Sequence, residues 1–262
     1  MPFLRRFTLM LQFMTAIPIR VNIKTDRGDF GKGLVTAPLV GLVIGMPLAG
    51  GNYLLGLLFP PLVTAVLTIM FYILLTGGLH LDGLGDTADG LFSNRPRERM
   101  LEIMKDSRVG TNAVLILSIV VLLDISLLSS IQSQLILILL FMPVAGRIGS
   151  LVGAGTSQYA GTSDGPGRWC VEYCGLKDVL SGLAVYFIIF AAAAWITGLY
   201  TGLSDLLKGG CILFTAIIPP LSAFLLTRFL GRKLGGVTGD ILGAVCELNQ
   251  AVFLLAAFLL IG

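Results

Sequence analysis

The sequence predicts an all-α protein, a polytopic integral membrane bundle of about seven transmembrane helices with an interfacial helix at the N-terminus. Composition is the first reason: of 262 residues, 55% are hydrophobic and only 13% charged, against about 25% charged in an average soluble domain. Mean hydropathy is +0.91. The second reason is that apolar stretches recur at the roughly 20-residue length that crosses a hydrocarbon core of about 30 Å. The third is the placement of basic residues, developed below. Because the spans consume the length, residues 1–262 are expected to form a single membrane-embedded catalytic domain.

The segment MPFLRRFTLMLQFMTAIPIR imitates a signal peptide, with Arg5 and Arg6 ahead of an apolar run. No small-x-small cleavage site precedes Pro18, so it is expected to persist as an interfacial or partly buried helix. Spans are expected over 34–59, 61–79, 111–129, 135–154, 179–200, 210–230 and 241–261. Pro60 and Pro61 separate the first two, since neither can donate to a helix and each restricts its predecessor. Glycines and Pro47 within GLVIGMPLAGG suit close helix packing and kinks.

With the N-terminus inside, fifteen of the 18 basic residues fall in inner segments. These are Arg5 to Lys32, Arg95 to Arg108, Arg168 with Lys177, and Arg232 with Lys233. Lys208 alone lies outside, while Arg147 and Arg228 fall within spans near their inner ends. That asymmetry predicts seven helices in the cytoplasmic membrane with the C-terminus outside. It also places every polar, non-repetitive stretch, near 80–110, 155–178 and 231–240, on the cytoplasmic side. The outer connections SSIQSQ and TGLSDLLKGG are short and plain. The active face is therefore expected to be cytoplasmic.

The stretch LLTGGLHLDGLGDTADGLF carries the most pointed chemistry. On a helix beginning near His80, Asp82, Asp86 and Asp89 stand at i, i+4 and i+7 and share one face. A solvated helix end accounts for one or two such residues. Three like charges on one stripe, interleaved with Gly83, Gly85 and Gly90, call for a cation, and all-oxygen ligation favours Mg2+ or manganese over zinc. His80 is a candidate base, hydrogen-bond donor or rim ligand. Downstream, Lys105 and Arg108 flank Asp106 before Gly110 and Thr111 open a helix, an arrangement suited to phosphate. The glycine-rich GGVTGDILGA brings Thr238 and Asp240 to the mouth of another helix. Arg147 and Glu247 lie inside spans, where ionisable residues are functional candidates, although the two could pair as a structural bridge. Asp124, nearer the outer end of its span, reads as structural. Cys170, Cys174, Cys211 and Cys246 form no disulfide framework, and the C-x3-C pair reads as small apolar residues rather than a zinc or redox site.

Three motifs in this order, His80 to Gly90, Ile103 to Gly110 and Gly236 to Ala244, together with FMTAIPI near the start, resemble the cobalamin synthase family, the adenosylcobinamide-GDP ribazoletransferases. The resemblance spans nearly the whole chain, though Ser157 to Lys177 carries no assignable match. It implies a Mg2+-dependent, phosphotransferase-type membrane enzyme late in nucleotide-loop assembly. Such an enzyme joins adenosylcobinamide-GDP to α-ribazole or α-ribazole 5'-phosphate, releasing GMP and forming adenosylcobalamin or its 5'-phosphate. Carried onto these residues, it gives Asp82, Asp86 and Asp89 to the metal, makes them and His80 the catalytic candidates, and assigns Lys105 and Arg108 to phosphate. Arg147, Thr238 and Asp240 complete the expected substrate contacts. The expected partners are these two substrates and the lipid bilayer, with no nucleic acid; a homo-oligomer is left open. The competing readings are a CDP-alcohol phosphatidyltransferase, from which Asp82-Gly-Leu-Gly-Asp departs where Ala-Arg is usual, and a transporter, for which no internal repeat is visible.

Overall fold

The computed structural model describes residues 2–24, 26–131, 134–201 and 206–260, and describes side chains except those of 197–201 and 206–214. The side chains of Cys211 and Lys208 and the tips of both outer connections lie outside that description. The described chain is helical: α1 (Pro2–Met14), α2 (Arg27–Gly33), α3 (Ala37–Gly56), α4 (Pro61–Thr76), α5 (Leu79–Phe92), α6 (Arg97–Ile103), α7 (Thr111–Ser130), α8 (Leu135–Gly155), α9 (Pro166–Tyr173), α10 (Leu176–Thr201), α11 (Leu206–Gly231) and α12 (Gly239–Leu260). A 3-10 turn, Leu34–Thr36, joins α2 to α3. The only extended pairing among the described residues is one parallel bridge between Tyr159 and Val237.

Five helical stretches are long and apolar enough to cross a membrane: Arg27–Gly56, α7, α8, α10 and α12. The protein is therefore a multi-pass membrane protein. The expected break at Pro60 and Pro61 is present, with α3 ending at Gly56 and α4 starting at Pro61. The expected second span does not run on to residue 79. Gly77 and Gly78 both adopt left-handed backbone, φ 63° and 70°, a conformation glycine takes without steric cost, and α5 leaves α4 at 93°. The sixth expected span corresponds to α11, whose described apolar part is Thr215–Gly231, and the seventh to α12.

The bundle is built around α8, which is buried along nearly its whole length from Ile138 to Ala154. Its tightest partner is α3, because Gly41 and Gly45 present no side chain toward it. A Cβ at Gly45 would stand 2.1 Å from the Leu140 carbonyl oxygen, and one at Gly41 would stand 2.6 Å from the Val144 Cα. This is the small-residue contact by which membrane helices pack without a hydrophobic driving force between them. Polar clasps tie other pairs. Asn249 of α12 donates to the Ala145 carbonyl of α8 at 2.5 Å and accepts from Ser222 of α11. Asn52 of α3 donates to Thr68 of α4 at 2.9 Å.

The polar connections gather at one end of the bundle, as the charge asymmetry predicted for a single face. Arg97 donates to the carbonyls of Leu234 and Ala160, each at 2.8 Å. Lys233 reaches the Leu91 carbonyl at 2.8 Å. The N-terminal region joins the same end: Arg5 and Arg6 pair with the buried Asp29, and Arg27 pairs with Asp164 at 2.6 Å. Phe13, Phe30 and Trp169 stack edge to face in sequence. The helix α1 is accordingly part buried, with Leu9, Met10 and Met14 in the core.

Candidate active site

α5 lies across the first turns of α7 and α12. Gly83 meets the backbone of Asp240, where a Cβ would stand 2.9 Å from the carbonyl oxygen, and Gly243 approaches the His80 backbone in the same way. At the other end of α5, Asp89 accepts from Gly110 N–H at 2.7 Å and from Ala113 N–H at 3.0 Å. α5 is thus a cap on one end of the bundle and not a spanning segment.

The aspartate stripe divides its labour along this cap. Asp86 lines a cavity of about 380 Å³, together with Lys105, Tyr159, Arg168, Thr238 and Asp240. Asp82, with His80 and Asp240, lines a second cavity of about 250 Å³. The two adjoin along Pro166–Gly167 and Gly239–Asp240. This closeness requires glycine: a Cβ on Gly167 would stand 2.7 Å from the Gly239 Cα. Thr238 caps α12, accepting from the Ile241 N–H at 3.3 Å, so Asp240 sits in the first turn of that helix. Burial and the neighbouring carboxylates of Asp82, Asp240 and Asp89 push the Asp86 carboxyl up to about 7.

That accumulation is the electrostatic setting a divalent cation relieves, and its donors are all carboxylate oxygens, which suit Mg2+. Among the described residues no three of these aspartates bring oxygens within 4.8 Å of one another. Mg2+ does not require that, because it commonly takes one or two carboxylates and completes its shell with water and substrate phosphate. Asp82, Asp86 and Asp240 fit that role. Asp89 is placed differently from the expectation: both its oxygens hold the N-terminus of α7, a helix-end position where negative charge is favoured.

Two other expected contacts fall elsewhere. Arg108 is exposed and grips Asp106, with Nη2 to Oδ2 at 2.6 Å and Nε to Oδ1 at 3.0 Å, and it lines neither cavity. Its guanidinium holds the Asp106 carboxyl down at about 2. Arg147 is fully buried in α8, inside the bundle, and lines neither cavity. There Tyr72 is the hub: its hydroxyl donates to Glu247 at 2.7 Å and accepts from Arg147 at 3.1 Å and from Gln250 at 2.8 Å. The bridge between Arg147 and Glu247 foreseen as the structural alternative is thus made through a tyrosine. One ligand atom from each of His80, Cys246 and Glu247 lies within 4.8 Å of the others. The adjacent Arg147 charge and the hydrogen bonds already filling Glu247 make this a polar core rather than a cation site.

Several lining groups had no signal in motif or spacing. Tyr159, Arg168 and Gly165–Gly167 come from the segment without an assignable match, whose one hint was its polar, glycine-rich character on the same side as the aspartates. Phe13 and Met14 arrive from α1 and, unlike those, lie within the FMTAIPI segment that the resemblance includes. Cys170 and Cys174 are buried thiols, pushed up to about 12 by burial, as expected for small apolar residues rather than metal or redox groups.

Fold and site together define a helical integral membrane protein with a carboxylate-lined, cation-flanked cleft at one end of its bundle. Residues 6–258 match the Cobalamin-5-phosphate synthase family, and the chain belongs to it. Similar proteins include an adenosylcobinamide-GDP ribazoletransferase of Acetivibrio thermocellus, 50% identical over 99% of both chains. One of Clostridium acetobutylicum is 47% identical over 98% of this chain and 97% of its own. One of Clostridioides difficile is 36% identical over 98% of each. No solved structure matches.

Proposed function

We propose that this chain is a membrane transferase that joins adenosylcobinamide-GDP to α-ribazole or its 5'-phosphate and releases GMP. The observation that carries the reading is the juxtaposition, in one cleft, of Asp86 and Asp240 with Lys105 and Arg168. Carboxylates for a cation beside positive side chains are the complement of a diphosphate; Arg168 also pairs with Glu172 at 2.7 Å. Family membership and the relatives' shared activity supply the identity of the diphosphate.

In the reaction a ribose hydroxyl of the acceptor attacks the phosphorus attached to cobinamide. A new phosphorus–oxygen bond forms, the bond to the bridging oxygen breaks, and GMP carries that oxygen away. Lys105 and Arg168 bear on the phosphate charge from the walls of the larger cavity. Asp82, exposed on the smaller cavity, is placed to accept the hydroxyl proton. His80 is buried, and burial together with nearby Arg147 keeps its imidazole neutral, which suits a hydrogen-bonding role. Asp82, Asp86 and Asp240 would hold Mg2+, which when bound polarises phosphoryl oxygens and stabilises the departing phosphate. Positioning and electrostatics then supply most of the acceleration. Asp89 positions α7 against this end of the bundle.

The charge asymmetry of the loops supports placing this face in the cytoplasm and the protein in the cytoplasmic membrane, as a single catalytic domain. The test is turnover by the purified chain in lipid nanodiscs with Mg2+, adenosylcobinamide-GDP and α-ribazole. GMP and cobalamin should appear in equal amounts and vanish with chelator or Asp82→Ala. Release of CMP from a CDP-alcohol donor, with no GMP from adenosylcobinamide-GDP, would refute the reading.

A further inference from the structure

The two adjoining cavities differ in chemistry as well as size. The larger has cationic and anionic walls. The smaller is walled mainly by Phe13, Met14, Leu34, Leu79, Cys170 and Leu242. His80 lies on that wall, and its buried Nδ1 has no hydrogen-bond partner. Asp82 and Asp240, which the proposed reaction uses, border the same space. An apolar chamber that opens beside the carboxylates of the proposed reaction has the character of a ligand pocket.

We propose that this smaller cavity is the seat of the acceptor's base, resting on the transferase reading above. The base of α-ribazole is an uncharged, methylated bicyclic aromatic ring with one free ring nitrogen. Of the planar rings among the reactants it is the apolar one: guanine and adenine carry polar groups around their edges that this wall does not match, and the corrin ring with its amide side chains is far larger than a chamber of about 250 Å³. The apolar walls match the ring faces. The attached ribose then lies toward Asp82 and Asp240, the side on which the cavity meets its charged neighbour. The same assignment gives α1 a purpose. Phe13 and Met14, within the FMTAIPI segment, form part of the pocket wall, and Phe13 is held there by its edge-to-face contact with Phe30.

The test fills the chamber. Cys170 is 2% exposed and borders it, so Cys170→Phe places a ring where the base would sit. In the full chain in nanodiscs, the KM for α-ribazole should rise at least about tenfold, as expected when a pocket loses room for its ligand. The KM for adenosylcobinamide-GDP should stay within about twofold. Calorimetric titration of α-ribazole into the protein without donor should weaken in parallel. If Cys170→Phe does not elute as a monodisperse species, Cys170→Met carries the same expectation with less bulk. An unchanged acceptor KM in a folded variant overturns the assignment, as does a raised donor KM. So does a phospholipid that copurifies with the unmodified chain and is expelled by the variant while both KM values stand. Absence of GMP release by the unmodified chain would count against the transferase reading alone, since the calorimetric comparison of α-ribazole binding still decides the cavity.

Discussion

Replacing Asp89 with alanine separates a structural carboxylate from a metal-binding one. Its oxygens take two amide hydrogens from the start of α7, at 2.7 Å from Gly110 and 3.0 Å from Ala113. Hydrogen bonds to a charged acceptor contribute about 1.5–3 kcal/mol each, but water reaches this part-buried site and replaces some of that. A favourable helix-end charge adds about 0.3–1 kcal/mol, so a net loss of about 2–4 kcal/mol follows. At about 2–4 °C per kcal/mol for chains near this length, the apparent Tm in nanodiscs should fall by about 4–16 °C at a constant scan rate. Asp82→Ala is the control. Asp82 is exposed, so its Tm should move by less than about 1 °C while turnover disappears, within the usual range for surface substitutions. Mg2+ should still raise the Tm of Asp89→Ala but not that of Asp82→Ala. A Tm for Asp89→Ala within about 1 °C of the unmodified chain, accompanied by loss of the Mg2+ response, would refute this division and return Asp89 to the metal.

Because the Asp86 carboxyl is pushed up to about 7, it is mostly protonated below that pH, and Mg2+ must displace the proton. Apparent Mg2+ affinity should therefore fall as pH drops through 7 and level off above about 8, with proton release detectable by calorimetry in buffers of different ionisation enthalpy; Asp86→Asn should abolish that release. Lys105→Ala should raise the KM for the diphosphate donor about 10–100-fold, the scale of one charged hydrogen bond, whereas Arg108→Ala should change it less than about threefold in the same steady-state assay, since Arg108 is engaged with Asp106 away from both cavities. Gly45→Ala should destabilise by about 1–3 kcal/mol in thermal unfolding, its Cβ meeting the Leu140 carbonyl, while Gly50→Ala, with nothing within 4 Å, should be neutral or slightly stabilising. Tyr72→Phe removes a hub that serves Glu247, Arg147 and Gln250 and should lower stability by about 2–4 kcal/mol in the same measurement, with the KM for each substrate unchanged.

How far the sequence foretold the site depends on whether a feature is local. Helices at the expected span positions and the helical start near His80 follow from hydropathy and from a residue spacing that any helix obeys, and both are present, although five described stretches, or six with the bent α4–α5 pair, are long and apolar enough to cross a membrane where seven are expected. The gathering of polar loops at one end follows from basic residues that must stay on one side of a membrane. Spacing places three aspartates on one stripe, but a helix 14 residues long passes several neighbours, and periodicity does not say which. In the fold Asp82 meets the apolar chamber, Asp86 the charged cleft and Asp89 the foot of α7. The decisive turn is at Gly77–Gly78, where two left-handed residues lay α5 across the bundle end instead of letting α4 run on. A Gly-Gly pair inside an apolar run is equally compatible with close helix packing, so the sequence could not distinguish the two uses. Asp240 shows the converse. The sequence marks it through a glycine-rich turn and as a substrate contact, and says nothing of its neighbours; it borders both cavities, because Gly83, Gly167 and Gly243 allow α5, α9 and α12 to converge on it. The residues that matter most at this site are thus those on which three distant segments close. Their importance lies in the absence of side chains around them, a property that shows only once the partners are in place.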